Sequence, residues 1–172
     1  MTVGVRPVQP GEYRRAGDVV VAAYQALPGA HNSRGYAAEL ADIDRRVREA
    51  EVFVAVDEED VIGCVTLVPD AMSPWAESLA DDEAGIRMLA VDPECQSRGV
   101  GQLLLDACID RAETLGRAAL FLHSTPWMDA AHRLYERNHF VRIPERDWLP
   151  EPDVPLLAFR LALGRSARAV GQ

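Results

Sequence analysis

The sequence predicts a mixed α/β fold, a central mixed sheet with helices on both faces. Three observations carry this reading. Val52-Phe53-Val54-Ala55-Val56 and Val61 to Val68 are strand-like runs joined by the polar turn Asp57-Glu58-Glu59-Asp60, an early hairpin. Gly99-Val100-Gly101 opens an amphipathic helix after the strand pattern Gly85 to Val91, and the strand pattern Ala118 to His123 follows, which makes a βαβ unit. The chain has 172 residues, room for one domain with a sizeable core but short for two.

The elements follow in order. Val3 to Pro7 reads as a first strand, and Pro10-Gly11 breaks the chain before a helix over Tyr13 to Gln25. Leu27 to Gly35, with Pro28, Gly29, Asn32, Ser33 and Gly35, reads as a loop. A second helix is expected over Tyr36 to Glu49, with Leu40, Ile43 and Val47 at helical spacing. After the hairpin comes a long loop, Pro69 to Ala84, holding Trp75. Asp92-Pro93 ends the Gly85 to Val91 strand. The helix after the glycine turn runs to about Leu115, with Val100, Leu104, Ala107, Cys108 and Ala112 on its apolar face and Gly116 just past its end. Met128 to Asn138 reads as a helix with Ala131, Leu134 and Tyr135 on one face. Phe140 to Ile143 and Leu156 to Leu163 are the last strands, joined by a Pro-rich loop with Trp148. Residues 1–164 are expected to form the domain, and 165–172 a flexible tail.

Apolar residues make up 48% and charged residues 26%, the balance of a soluble globular chain. No apolar run approaches the roughly 20 residues that span a bilayer, so no membrane partner is expected. Met1 to Pro10 lacks the pattern of a secretory leader, so the expected location is cytoplasmic. The net charge of −9 argues against a nucleic-acid groove and suits a cationic acceptor, although plain solubility accounts for it as well. All 18 basic residues are Arg. The 3 cysteines, Cys64, Cys95 and Cys108, show no Cys-x-x-Cys or Cys/His spacing, so neither a disulfide framework nor a metal site is expected. Cys64 and Cys108 read as small core residues, and Cys95 as an incidental loop thiol.

The most informative stretch is Gln96-Ser97-Arg98-Gly99-Val100-Gly101-Gln102. Amides at a helix start point outward, and the helix dipole favours negative charge there. Two glycines let a phosphate approach the backbone, and Arg98 could add a cation. A Walker loop would need Gly-Lys-Ser/Thr, which is absent. A dinucleotide fingerprint would need a third glycine where Leu104 stands and an acid where Ala119-Leu120-Phe121-Leu122 stands.

The run Ile86-Arg87-Met88-Leu89-Ala90-Val91-Asp92-Pro93, then Gln96-x-x-Gly99-x-Gly101, then a long amphipathic helix, resembles the acetyl-CoA signature of the GNAT superfamily of N-acetyltransferases. Ala131-His132-Arg133-Leu134-Tyr135-Glu136-Arg137-Asn138-His139-Phe140 looks like that family's second motif, with His139 in place of the usual glycine. The resemblance covers the chain in element order, and its specific motifs cover Ile86 to Phe140. It implies a mostly antiparallel sheet, with a bulge at the end of the Gly85 to Val91 strand splaying the fourth strand from the fifth. Acetyl-CoA, the acyl donor, would lie in that gap. The backbone of Leu89 and Val91 would pair with its pantetheine amides, the amides of Arg98, Gly99, Val100, Gly101 and Gln102 would hold its pyrophosphate, and Ala90, Gln96, Ser97 and Tyr135 complete the expected cofactor-binding set. Tyr135 matches the tyrosine that sits near the thioester sulfur and acts as general acid; its competing role is core packing with Leu134 and Ala131.

The general base is open. The family's glutamate position falls near Gly85, so that residue does not carry over. Glu83 and His123 are the candidates: Glu83 is the nearest carboxylate, and histidine exchanges protons near neutrality. Acceptor specificity in the family lies in the N-terminal helices and loops, here Leu27 to Tyr36, Pro69 to Ala84 and Arg142 to Pro155. Trp75 and Trp148 are candidates for the pocket wall, and the loop acids Glu77, Asp81, Asp82, Glu83, Glu145, Asp147, Glu151 and Asp153 suit an amine. Three readings stand: acetylation of a small amine, acetylation of a protein N-terminus or lysine, and non-catalytic acyl-CoA binding on the same fold. The oligomeric state is open, a homodimer included.

Overall fold

The computed structural model describes residues 2–28 and 34–164. Most of the expected Leu27 to Gly35 loop, and the expected tail, lie outside the described residues. The elements are β1 (Val3–Pro7), α1 (Tyr13–Gln25), α2 (Arg34–Ala41), α3 (Ile43–Glu49), β2 (Glu51–Asp57), β3 (Asp60–Val68), β4 (Glu83–Val91), α4 (Val100–Thr114), β5 (Ala119–Ser124), α5 (Asp129–Arg137), β6 (Val141–Arg142), β7 (Trp148–Glu151) and β8 (Val154–Ala162). The sheet order is β1-β2-β3-β4-β5-β8-β6, with β7 paired to β8. Neighbours are antiparallel except β4 and β5, which run parallel. No helix among the described residues is long and apolar enough to cross a membrane.

Two cores flank the sheet. On one face Val100, Leu104, Leu105, Cys108 and Ala112 of α4 and Leu134 and Tyr135 of α5 pack on Ile62, Ile86, Leu120 and Leu122. On the other, Ala16, Val19 and Val20 of α1, with Leu40 and Ile43, pack on Val52, Val54, Cys64 and Ala90. Strands buried on both faces read as continuous apolar runs, which is why β2 and β3 show no clean alternation. Gly63 lets α4 seat closely: a Cβ there would stand 2.9 Å from Val100 Cγ1 and Leu104 Cδ1.

The expected single helix over Tyr36 to Glu49 is two. Asp42 (φ −82°, ψ 72°) interrupts it, and its side chain accepts the Arg45 N–H at 3.0 Å as the N-cap of α3. A short carboxylate offers the backbone this alternative to helix continuation. Arg46, wholly buried, donates to the carbonyl oxygens of Glu39 at 2.7 Å and Leu40 at 2.8 Å, closing the end of α2. The Pro-rich loop at Trp148 also differs from expectation: it forms the short edge strand β7, where Pro150 is tolerated.

The bulge that matters for function lies within β4. Cys64 opposes Ala90, yet Thr66 opposes Arg87, so Met88 and Leu89 together face the single residue Val65. Met88 takes φ +55° to achieve this. The extra residue reverses the alternation. Ala84 and Ile86 face the α4 side, then Leu89 and Val91 do, while Met88 and Ala90 face α1. The bulge therefore falls earlier than the strand end expected from sequence. Pairing of β4 with β5 covers only Glu83↔Ala119, Ala84↔Leu120 and Gly85↔Phe121. Beyond Gly85 the two strands part, and a wedge opens between them.

Candidate active site

A cavity of about 400 Å³ enters the wedge from the α4 side, lined by Leu89, Ala90 and Val91 of β4, Gln96, Ser97 and Gly99 of the turn, and Val100, Gly101 and Gln102 of α4. Ser97 (φ +65°) and Gly99 (φ +78°) are left-handed, so the chain reverses sharply into the helix. The first amides of α4 have no intrahelical partner, and no side chain caps the helix. Arg133 and Arg137 of α5 line the same cavity. Backbone donors, the positive end of a helix dipole and two guanidinium groups suit a pyrophosphate. The β4 edge from Ile86 onward has no β5 partner, and it offers main-chain groups to an extended ligand in the manner of an added strand.

A second cavity of about 400 Å³ lies in the wedge toward the N-terminal helices. Tyr24, Leu27 and Met128 belong to both walls, so the two spaces adjoin. Its walls are rich in rings: Tyr24, Tyr36, Trp75, Phe121, Trp127 and Trp148. Glu39, Glu77, Arg87, Glu151 and His123 bring charge or proton exchange to it.

The chain matches the profile of the Acetyltransferase (GNAT) family over residues 18–140. It belongs to the GNAT acetyltransferase family. It is 46% identical over 59 residues to a ribosomal protein bS18-alanine N-acetyltransferase of Salmonella typhimurium, a match covering 34% of this chain and 40% of that one. The chain thus spans less than half the length of that relative. In fold it is similar to a GNAT acetyltransferase of Staphylococcus aureus, with TM-score 0.76, 15% identity, and coverage of 95% of this chain and 100% of the other. It is also similar to the Salmonella typhimurium acetyltransferase YncA, solved with acetyl-CoA, with TM-score 0.66, 17% identity and coverage of 95% of each chain.

Within this GNAT fold the two candidate bases sit in different environments. His123, on β5, lines the ring-walled cavity, with Phe121 edge-on at 5.0 Å and Trp148 at 6.2 Å. Its Nε2 lies 2.9 Å from the main-chain oxygen of Arg146. A carbonyl only accepts, so Nε2 carries the proton, and Nδ1 of the neutral ring is the basic atom. Glu83, at the start of β4, is 1% exposed. Its oxygens accept from Arg146 Nη1 and Nη2 and from Arg160 Nε, each at 2.8 Å, and from the Ala80 N–H at 3.0 Å. Burial alone would raise its carboxyl, but these donors, Arg146 foremost, outweigh it and hold the group down at about 2. A carboxylate with its lone pairs so engaged is poorly suited to take a proton from an amine.

Tyr135 packs its ring against Phe140 at 5.4 Å and Phe159 at 5.8 Å and is 5% exposed. It belongs to the α4-side core and not to the lining of either cavity, although its neighbour Leu134 lines the first. Its hydroxyl makes no hydrogen bond to a described residue, and it is not among the fully enclosed polar atoms. Burial, then the nearby Cys108, raises the phenol well above its usual range, so it stays a proton donor.

Trp75 and Trp148 both line the ring-walled cavity. Trp75 is 4% exposed, with Arg45 and Arg87 stacked on its ring at 5.0 Å each, whereas Trp148 is 41% exposed. Arg98 is placed differently from expectation: it pairs with Asp57 at 3.0 Å and does not line the cavity at the start of α4. The cations that do line it, Arg133 and Arg137, were missed, although their i, i+4 spacing beside Leu134 was there to read. Of the loop acids, Glu77 pairs with Arg87 at 3.6 Å and Asp147 with Arg142 at 2.7 Å. His139 takes φ +68°, the conformation its place in the motif requires. Cys64 and Cys108 are buried, and burial pushes the Cys64 thiol up to about 12. Cys95 is half-buried beside the turn that opens α4.

Proposed function

We propose that this protein transfers an acetyl group from acetyl-CoA to a primary amine by direct attack, with both substrates bound together. The observation that carries the reading is the junction of the two cavities in the β4/β5 wedge, one built for phosphate and an extended chain, the other walled by rings and holding His123. The residues present fit the donor. Gly99 takes φ +78°, which turns the chain into the helix, and a Cβ there would meet nothing within 4 Å, so the helix start stays open to a ligand. Gly99 to Gln102, with Arg133 and Arg137, would hold the pyrophosphate, and the open edge at Leu89 to Val91 the pantetheine amides.

When bound, acetyl-CoA supplies an activated acyl carbonyl. The chain's own residues manage the protons. An amine arrives as an ammonium ion and attacks only once neutral, and His123 Nδ1 takes that proton. As the C–N bond forms and the C–S bond breaks, the phenol of Tyr135 donates to the departing sulfur, and the nitrogen's second proton, lost as the amide forms, restores the phenol. The ring-rich wall suits an amine carried on an apolar body. Glu39 lines that wall with no ion-pair partner among the described residues, which favours a cationic acceptor.

The test is release of CoA thiol from acetyl-CoA across a panel of arylalkylamines, amino acids, polyamines and peptides. Amine-dependent release, largest with apolar primary amines, is expected. Tight acetyl-CoA binding with no release across the panel would replace this reading with the non-catalytic one.

A further inference from the structure

We propose that Glu83 and Arg146 are positioning residues that fix the tautomer and orientation of His123; this rests on the reading of His123 as base. The carbonyl that accepts from His123 Nε2 belongs to Arg146, the last residue of the short 3-10 turn Pro144–Arg146. The turn is closed by the Arg146 N–H on the Ile143 oxygen at 3.0 Å and the Asp147 N–H on the Pro144 oxygen at 3.1 Å, while Pro144 and Glu145 are exposed and add little packing. The Arg146 side chain adds an anchor from outside the turn. Its guanidinium forks onto both oxygens of Glu83 at 2.8 Å, donates to the Ser78 carbonyl at 2.6 Å, and lies 3.6 Å above the Phe121 ring. Phe121 in turn stands edge-on to the imidazole. Arg146 thus holds His123 through its main chain and supports the ring's neighbour through its side chain.

Glu83 is fixed independently by Arg160 and the Ala80 amide. Residues 63 and 77 positions apart in the chain meet on this carboxylate. Glu83 is buried while Arg146 and Arg160 stay partly exposed, so the cluster stabilises the fold without fully desolvating the guanidinium groups. Planar, bidentate geometry does something an apolar contact cannot: it fixes the direction of the chain at Arg146. The other acid near the imidazole, Asp147, is occupied by both Arg142 nitrogens and by the Ala158 N–H at 2.7 Å, so it does not compete for Nε2–H. Glu77, Arg87 and Glu151 line the same cavity but have no hydrogen bond to the ring. With Nε2–H committed to a fixed carbonyl, the Nδ1 lone pair keeps one direction through turnover.

The experiment records histidine ring nitrogen shifts of the full chain by NMR in mildly alkaline solution, with the His123 signal assigned by its loss in His123→Ala. The wild type is expected to show His123 as the Nε2–H tautomer. Glu83→Gln and Arg146→Met are each expected to give a tautomer mixture, an unchanged acetyl-CoA affinity, and a kcat lower by about 10- to 100-fold, as when an orienting partner is lost. Arg146→Lys keeps the charge without the fork and is the milder variant if the others fold poorly; it is expected to lie between. An unchanged Nε2–H tautomer and kcat in folded Arg146→Lys and Arg146→Met would overturn the proposal. Full kcat in His123→Ala would overturn the base reading beneath it, and the tautomer spectra tell the two failures apart.

Discussion

The guanidinium of Arg46, with none of its surface exposed, donates to the Leu40 carbonyl at 2.8 Å and so ties the end of α2 to α3. No carboxylate pairs with it among the described residues. Because Tyr36, Glu39 and Leu40 of α2 line the ring-walled cavity, this bond reaches into acceptor binding. Arg46→Met would leave the α2 carbonyls unpaired and is expected to cost about 2–3 kcal/mol. The acceptor KM should rise while acetyl-CoA affinity holds. Urea unfolding and steady-state kinetics with each substrate varied check both halves.

Gly101→Glu should abolish acetyl-CoA binding in a folded protein. The new carboxylate would stand among the α4 amides, where a pyrophosphate is expected. Gly101→Ala is the control, since its Cβ would meet Leu134 Cδ2 at an ordinary 3.5 Å. Thermal shift with acetyl-CoA and with NAD reads the result. The alanine variant should keep its acetyl-CoA shift, and NAD should give none with either. An unchanged acetyl-CoA shift in Gly101→Glu would place the site elsewhere.

Glu83 should make the protein acid-labile over a defined window. Its folded carboxyl sits at about 2, while an unfolded glutamate titrates at about 4.3. The folded value is the lower one, so the stabilisation is full above the unfolded value and is lost as pH falls toward the folded one. The gap corresponds to about 3 kcal/mol. Glu83→Gln should lose this stability at neutral pH and show a smaller decline between about pH 4.3 and 2. Urea titrations of both proteins at neutral pH and at the acid end of the window give the comparison.

Local signals carried much of the fold and the turn that lines the first cavity. The two glycines, the Asp92-Pro93 stop and the apolar spacing of α4 are contiguous, so they placed the turn that opens α4. Asp42 was a readable N-cap, but the helical spacing of Leu40, Ile43 and Val47 continues across it and masked the break. The residues that hold His123 were not legible. Glu83, Arg146 and Arg160 come from β4, the turn before β7, and β8, and only the sheet order brings them together. Sequence set Glu83 among the loop acids with Asp81 and Asp82, yet Glu83 faces inward because strand pairing begins at that residue. The placement of Arg98 was hidden for the converse reason: Asp57, at the far end of β2, pairs with it across a separation that sequence does not show.

Tyr135→Phe separates the two roles open to that residue. Phe fills the same space against Phe140 and Phe159, so it leaves no cavity, as Ala would. The hydroxyl has no hydrogen-bond partner among the described residues, so its removal should leave the melting temperature level or slightly higher. If the phenol protonates the departing thiolate, kcat should fall by about 10²-fold or more while acetyl-CoA affinity stays near wild type. Burial raises the phenol far above neutrality, so in the wild type it stays protonated through the working range, and the alkaline limb of kcat should lie at high pH. Loss of the acid should change that limb in Tyr135→Phe. The pH profile of kcat, measured with the best amine of the panel, provides the second readout. Full kcat with an unchanged profile would return Tyr135 to the core cluster it shares with Cys108 and Leu134, and the thiolate would then leave unaided or take its proton from water.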